Sequence, residues 1–150
     1  MSAMDAFENG LLRLIFENTD GPANVGDATG LRGSSTAGSF YISLHTANPG
    51  SNESTGDQTT SESAYTSYAR VAVARASAQW TVASGVADND NTITFPACTG
   101  STSTVTHFGV GSATSGAGVL HLWGALTASL AISSGITPSF AAGALDVSLD

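Results

Sequence analysis

The apolar residues of this chain follow two different periods, and the change between them divides the sequence. Near the N-terminus Phe7, Leu11, Leu14 and Ile15 fall at i, i+4, i+7 and i+8, the stripe of an amphipathic helix. Ser2 is placed to cap that helix, with Asp5 three residues later as a variant of the capping-box acid. Asp5 and Glu8 also suit the positive end of the helix dipole. Gly10 inside the pattern weakens it by about 1 kcal/mol relative to Ala. The helix is expected to end near Asn18. Residues 19–38, "TDGPANVGDATGLRGSSTAG", are Gly-rich and poor in apolar side chains, so they read as an extended arm. A short helix on such a tether is not stable alone. Its stripe must dock on the chain's own body or on another subunit.

From residue 39 the period becomes two. "SFYISLHT" alternates Phe40, Ile42 and Leu44 with Tyr41, Ser43 and His45. "ARVAVAR" puts Val71 and Val73 on one face, "AQWTVA" does so for Trp80 and Val82, and "NTITFP" for Ile93 and Phe95. "STVTHFGVGSA" sets Phe108 and Val110 against Val105 and His107, and "GVLHLWGALT" sets Leu120 and Leu122 against Val119, His121 and Trp123. "ASLAISSG", "ITPSF" and "GALDVSL" follow, separated by Gly, Ser or Pro. About eight short strands at this spacing, with no helix long enough for a parallel crossover, predict an antiparallel β-sandwich, jelly-roll-like in outline. The expected organisation is a helix and arm over residues 1–38 and a sandwich domain over 39–150. "DNDN" at 88–91 lacks the Gly and distal Glu of a calcium loop and reads as a turn between "WTVASGV" and "TITFP".

Composition narrows the range of functions. Charged residues make up only 11% of the chain, the net charge is −8, and the four basic residues are all Arg: Arg13, Arg32, Arg70 and Arg75. That balance excludes binding to nucleic acid by phosphate neutralisation and to anionic membranes by a basic patch. Ser, Thr, Gly, Ala and Asn replace the missing charges, a surface compatible with dense assembly. The lone Cys98 has no disulfide partner, and the three His are too scattered for a zinc site, so no metal or cofactor is expected. The acidic N-terminus does not resemble a signal peptide, which points to synthesis and folding in the cytoplasm.

Catalytic constellations are weak. His45, His107 and His121 all fall in predicted strands, and no Ser occupies a G-x-S-x-G elbow. Glu53, Asp57 and Glu62 lie in a polar insert, and Asp88 and Asp90 in another loop, without the aromatic neighbours of a sugar-cleaving pair. The Gly-rich "GVGSATSGAG" lacks the Lys of a phosphate-binding loop and reads as a hairpin turn. The insert itself, from Asn48 to Ala64, separates two apolar strands and carries Tyr65 and Tyr68 at its base. A Tyr there either anchors a partner or folds back over the edge of its own sheet. Arg70 and Arg75 are expected to pair with nearby acids.

Several segments together resemble a known group. "FYISLHTANPGSNESTGDQTTSESAYTSYARVAVAR", Trp80, "ITFPACTGSTSTVTHFGVGSATSGAGVLHLWGAL" and "GITPSFAAGALDVSL" are similar to small tailed-bacteriophage virion proteins commonly labelled tail fibre protein or phage structural protein. The similarity spans roughly residues 39–149. It implies a non-enzymatic β-sandwich present on the virion in many copies. The chain has neither heptads nor the repeats of a fibre shaft. The leading expectation is therefore a capsid decoration (cement) protein, a dimer or trimer that bridges capsomers by contact with the major capsid protein or other virion subunits. The alternative is a tail-fibre or tail-tip component that recognises a host receptor. On either reading the expected interface residues are Phe7, Leu11, Leu14, Ile15, Glu53, Asp57, Tyr65 and Tyr68.

Overall fold

A computed structural model describes residues 3–22, 33–50 and 56–149. The fold is mainly β, with several antiparallel sheets and one short N-terminal helix, consistent with a β-sandwich. Among the described residues there are nine strands. The chain forms two compact units, one of Met1–Gly38, Ala74–Ile93 and Phe140–Asp150, the other of Ser39–Val73 and Thr94–Ser139.

In the first unit the helix α1 (Asp5–Leu12) runs on into a π-helical turn, Arg13–Glu17, and stops at Asn18, whose φ of 55° is left-handed. The stop agrees with the expected end; the start does not. Met4, in extended conformation, is the N-cap and makes no side-chain capping bond, and Ser2 lies outside the described residues. The buried face also differs. Leu12 and Phe16 are fully buried, whereas Leu11, Leu14 and Ile15 are half-buried and Phe7 is exposed. Leu12 and Phe16 stand four residues apart on one side of the helix, one position on from Phe7, Leu11 and Ile15. Phe16 packs on Trp80, with ring centroids 4.6 Å apart.

Trp80 opens β3 (Trp80–Ala83), which pairs antiparallel with β4 (Val86–Asn89), and β4 pairs antiparallel with β9 (Asp146–Ser148). The two-residue turn between β3 and β4 is Ser84–Gly85, with φ of 53° and 76°. Two successive positive φ values are what a type I′ hairpin requires. This corrects the expectation for "DNDN". Asp88 and Asn89 complete β4, because the turn was already made at Ser84–Gly85. Asn89 is 1% exposed and its side chain closes a gap: Nδ2 donates to the carbonyls of Asn91 and Ala141, and Oδ1 accepts from the N–H groups of Ala144 and Leu145. Arg75, expected to pair with acids, donates to the carbonyls of Leu14 and Ile15, which the helix end leaves without partners.

The second unit is built on a four-stranded sheet in the order β2-β1-β6-β7: β2 (Val71–Ala74), β1 (Ser39–His45), β6 (Ser103–Gly111) and β7 (Leu120–Ile132). β6 pairs antiparallel with both β1 and β7. Ile42, Leu44, Val105, Val110 and Ile132 are buried along it. "GVLHLWGALT" and "ASLAISSG", expected as separate strands, form the single strand β7. Its register against β6 jumps from His107–Ala125 to Val105–Leu130. A bulge over residues 126–129 thus absorbs the extra length that the sequence pattern read as a break. Ile93–Thr94 (β5) and Ser139–Phe140 (β8) make a two-stranded ladder.

Across β4 and β9 the register sets Asp88 opposite Asp146. Burial, and then the hydrogen bond and charge of Asp146, hold the Asp88 carboxyl above its ordinary value. An acid raised in this way subtracts stability at neutral pH, and the penalty disappears as falling pH protonates it in both states. Asp146→Asn should therefore raise the melting temperature at neutral pH, by the equivalent of about 0.5 kcal/mol for one like-charged cross-strand pair. The gain should vanish below the ordinary Asp value of 3.8. Thermal unfolding of both proteins at the two pH values checks this.

Candidate functional site

The alternation of β1 assigns Ser43 and His45 to a solvated face, yet both are 0% exposed. They are covered by residues 56–70, the second half of the polar insert and the stretch at its base, which fold back onto β1. Backbone bonds from Thr46 N–H to the Ser61 carbonyl and from Ser63 N–H to the Leu44 carbonyl, each 2.8 Å, extend the ladder at the strand's end. His45 Nδ1 lies 2.8 Å from the Thr60 carbonyl and Nε2 lies 2.8 Å from Ser43 Oγ. A carbonyl only accepts, so Nδ1 carries the proton and Nε2 accepts from the Ser43 hydroxyl. Burial is the main cause that lowers the imidazole pKa below 6.5.

Gln58 fixes the insert from the other side. It is 0% exposed; its Oε1 accepts from Ala113 N–H at 2.8 Å and its Nε2 donates to the Tyr41 carbonyl at 3.4 Å. The slot it fills exists because two glycines line it. A Cβ on Gly111 would lie 2.1 Å from Gln58 Cδ, and one on Gly118 would lie 2.3 Å from Gln58 Oε1.

The base of the insert is held by charge. Arg70 Nε and Nη2 meet Glu62 Oε1 and Oε2 at 2.6 and 2.7 Å, a bidentate pair, and Nη1 and Nη2 also donate to the carbonyls of Ala113 and Gly116. The Arg70 side chain is 2% exposed and that of Glu62 17%. The Glu62 carboxylate raises the Arg70 pKa, so the cation is locked. Tyr68 donates to Glu62 Oε1 and accepts from Leu44 N–H, and burial pushes its pKa up. Tyr65 is 2% exposed and donates to the Pro96 carbonyl. Both Tyr residues therefore take the inward of the two roles open to them. Their rings meet edge-on at 5.3 Å.

Of the other expected interface residues, Asp57 stands at the surface and accepts from the backbone N–H and hydroxyl of Thr59, which lowers its pKa. Glu53 lies outside the described residues. Phe7, Leu11, Leu14 and Ile15 belong to the first unit and Asp57, Tyr65 and Tyr68 to the second. Together with Met4, which is 78% exposed, Phe7 at 41% gives the helix an apolar outward face. The first unit also carries an open cleft of about 520 Å³ whose lining includes Arg13, Glu17, Asp20, Ser77 and Thr81.

Ser43 and His45 stand at the separation of a nucleophile and its base, but no substrate atom reaches them behind the insert. What remains outside is a hydroxyl surface: Thr59, Ser61, Thr66, Ser67, Thr99 and Ser101 are all exposed. It is held stiff by bonds such as Ser67 Oγ to Thr99 Oγ1 at 2.5 Å. Among the described residues no group of His, Cys, Asp or Glu is placed to hold a metal, and no helix is long and apolar enough to cross a membrane.

The sequence reading missed Gln58, which looked like one more polar loop residue. Its only signal is indirect: glycines at 111 and 118 bracket a predicted hairpin without forming its turn.

Two outcomes follow from this arrangement. Gln58→Ala should cost about 1–3 kcal/mol by leaving buried backbone groups unpaired. Gly111→Ala should cost less in the Gln58→Ala background than in the wild type, because the clash is with that side chain. Denaturant titration of the four proteins measures the coupling. For His45, a folded-state pKa below the unfolded value means that stability is present above 6.5 and is lost as pH falls below it. In His45→Asn that acid-side slope should flatten, as read from melting temperature against pH.

A family model described as Podophage GP4 fiber I protein gp80 matches residues 27–148. No curated protein matches the chain.

Proposed function

Because the chain belongs to the podophage fibre I protein family, a phage structural family, and so is a virion component, we propose that it is a non-enzymatic tail-fibre or tail-tip subunit that contacts a host-surface molecule. The observation that carries this reading is the clamped insert. Its hydroxyls Thr59 and Ser61, and those of Thr66 and Ser67 at its base, are exposed on a backbone that Glu62, Arg70 and Gln58 hold in place. A rigid array of donors and acceptors loses little entropy on meeting a polar ligand, and Ser43 and His45, which stand at the separation of a nucleophile and its base, are buried. The net charge of −8 supports a partner other than nucleic acid or an anionic membrane.

One feature favours a second reading, capsid decoration. The outward apolar face of Met4 and Phe7 suits attachment to the major capsid protein or another virion subunit. In both readings the protein folds in the host cytoplasm before assembly.

Quantitative gel analysis of purified virions separates the two. A fibre subunit should be present in a small multiple of the tail's symmetry, whereas a decoration protein should approach the capsomer count. A count on the capsomer scale would overturn the fibre reading.

A further inference from the structure

The open cleft of about 520 Å³ lies wholly within the first unit, and the fold does not use up its polar groups. One wall is the π-helical turn, which supplies Arg13 and Glu17 and is continued by Thr19 and Asp20. The other is the start of β3 and the turn before it, which supply Thr81 and Ser77. The buried Trp80 and Val82 complete the lining. Both walls are fixed by contacts of their own. Phe16 packs on Trp80 with ring centroids 4.6 Å apart, and Arg75 holds the carbonyls of Leu14 and Ile15. A ligand therefore meets a preformed site.

Arg13 and Glu17 stand four residues apart, the spacing at which opposite charges on a helix face commonly pair. Here Arg precedes Glu, the weaker order for such a pair because it opposes the helix dipole. Among the described residues the two do not bond to each other. Arg13 donates to the Val82 carbonyl at 3.3 Å, which leaves most of the guanidinium N–H donors unspent. Nothing among the described residues donates to the Glu17 carboxylate. Thr81 gives its hydroxyl proton to Asp90 at 2.7 Å and so offers lone pairs to the cleft, while Thr19 and Ser77 are exposed hydroxyls.

We propose that this cleft binds a neutral saccharide unit, held between the Glu17 carboxylate and the Arg13 guanidinium. Charge and polarity select that class of ligand. An anion meets two carboxylates, Glu17 and Asp20, against one guanidinium, in a chain of net charge −8. A cation meets Arg13. An apolar ligand finds no aromatic face, because Trp80 is 0% exposed. Among the described residues no cluster is placed to hold a metal. What fits is an uncharged molecule that donates and accepts from adjacent atoms. Neighbouring sugar hydroxyls do so: two O–H groups donate to the two oxygens of Glu17, and their lone pairs accept from Arg13.

The volume is adequate, since small-molecule sites run from about 300 to 1,000 Å³. With no ring to stack on, affinity for a single sugar is expected on the order of 1–10 mM. The exposed hydroxyls of Thr59, Ser61, Thr66 and Ser67 belong to the second unit, so this site is separate from the surface on which the fibre reading rests. Binding in the cleft does not depend on whether the protein sits on the head or the tail.

The test is an amide-resolved NMR titration of the full chain with D-glucose, D-galactose and D-mannose, each taken to about 100 mM, well above that range. At least one sugar should shift the amides of Glu17, Ser77 and Thr81 along a saturable curve. Glu17→Gln keeps the size of the side chain and breaks no bond within the described chain, so the melting temperature should be unaltered. Its affinity for that sugar should fall about tenfold or more, the loss of charge-assisted hydrogen bonding. Inorganic phosphate and ethylammonium, at matched ionic strength, should leave the same amides in place. Flat titrations with all three sugars, shifts centred instead on Thr59, Ser61, Thr66 and Ser67, undiminished affinity in Glu17→Gln, or saturable binding of phosphate or ethylammonium in the cleft would each overturn the proposal.

Discussion

The second unit depends on one ion pair. Arg70 and Glu62 are joined by two hydrogen bonds in a place where the Arg side chain is almost wholly removed from water. Such a pair is costly to bury, and breaking it by removing one partner costs about 3–5 kcal/mol. It is tolerated here because the remaining donors and lone pairs are used: Arg70 reaches the carbonyls of Ala113 and Gly116, and Glu62 accepts from Tyr68. Three stretches of chain, the insert, the strand entrance and the 113–116 hairpin, are thereby tied to one guanidinium. A Lys could supply the charge but not the fork that meets both carboxylate oxygens and two carbonyls at once.

Everything else about the insert follows from its being held down. With residues 56–63 in place, Ser43 and His45 lose contact with water and must satisfy each other and the Thr60 carbonyl. Gln58 then enters the sheet, and the room for it comes from glycines whose missing side chains would otherwise occupy the slot. Gly109 does the same for the Ser43–His45 pair: a Cβ there would lie 2.7 Å from both Ser43 Oγ and His45 Nε2. The described part of a loop rich in the residue types of an active site is therefore an internal clamp, and among the groups it shows to the outside are the hydroxyls of Thr59 and Ser61.

Charge is distributed as unevenly as burial. The acids and all four Arg lie before residue 91 or after residue 145. The intervening span supplies β6 and β7. One edge of its sheet is short and flanked by Arg, and the other is long, apolar and neutral.

The sequence by itself determined the mainly β class, the short N-terminal helix with its end at Asn18, and most strand positions. These rest on local causes, namely side-chain period and turn chemistry, which operate over a few residues. Ile93 and Phe95 share a buried face, as do Trp80 and Val82, for that reason. The stripe Phe7, Leu11, Leu14 and Ile15 was legible as helical, but that Leu12 and Phe16 are the side chains buried within the unit was not, because the partner of Phe16, Trp80, lies far along the chain. Only the tertiary structure decided that Ser43 and His45 are buried, that Gln58 is a core residue, and that two predicted strands are one bulged β7. Each of these depends on what lies across a sheet from residues distant in the chain, and a polar side chain reads the same in sequence whether it faces water or a buried carbonyl.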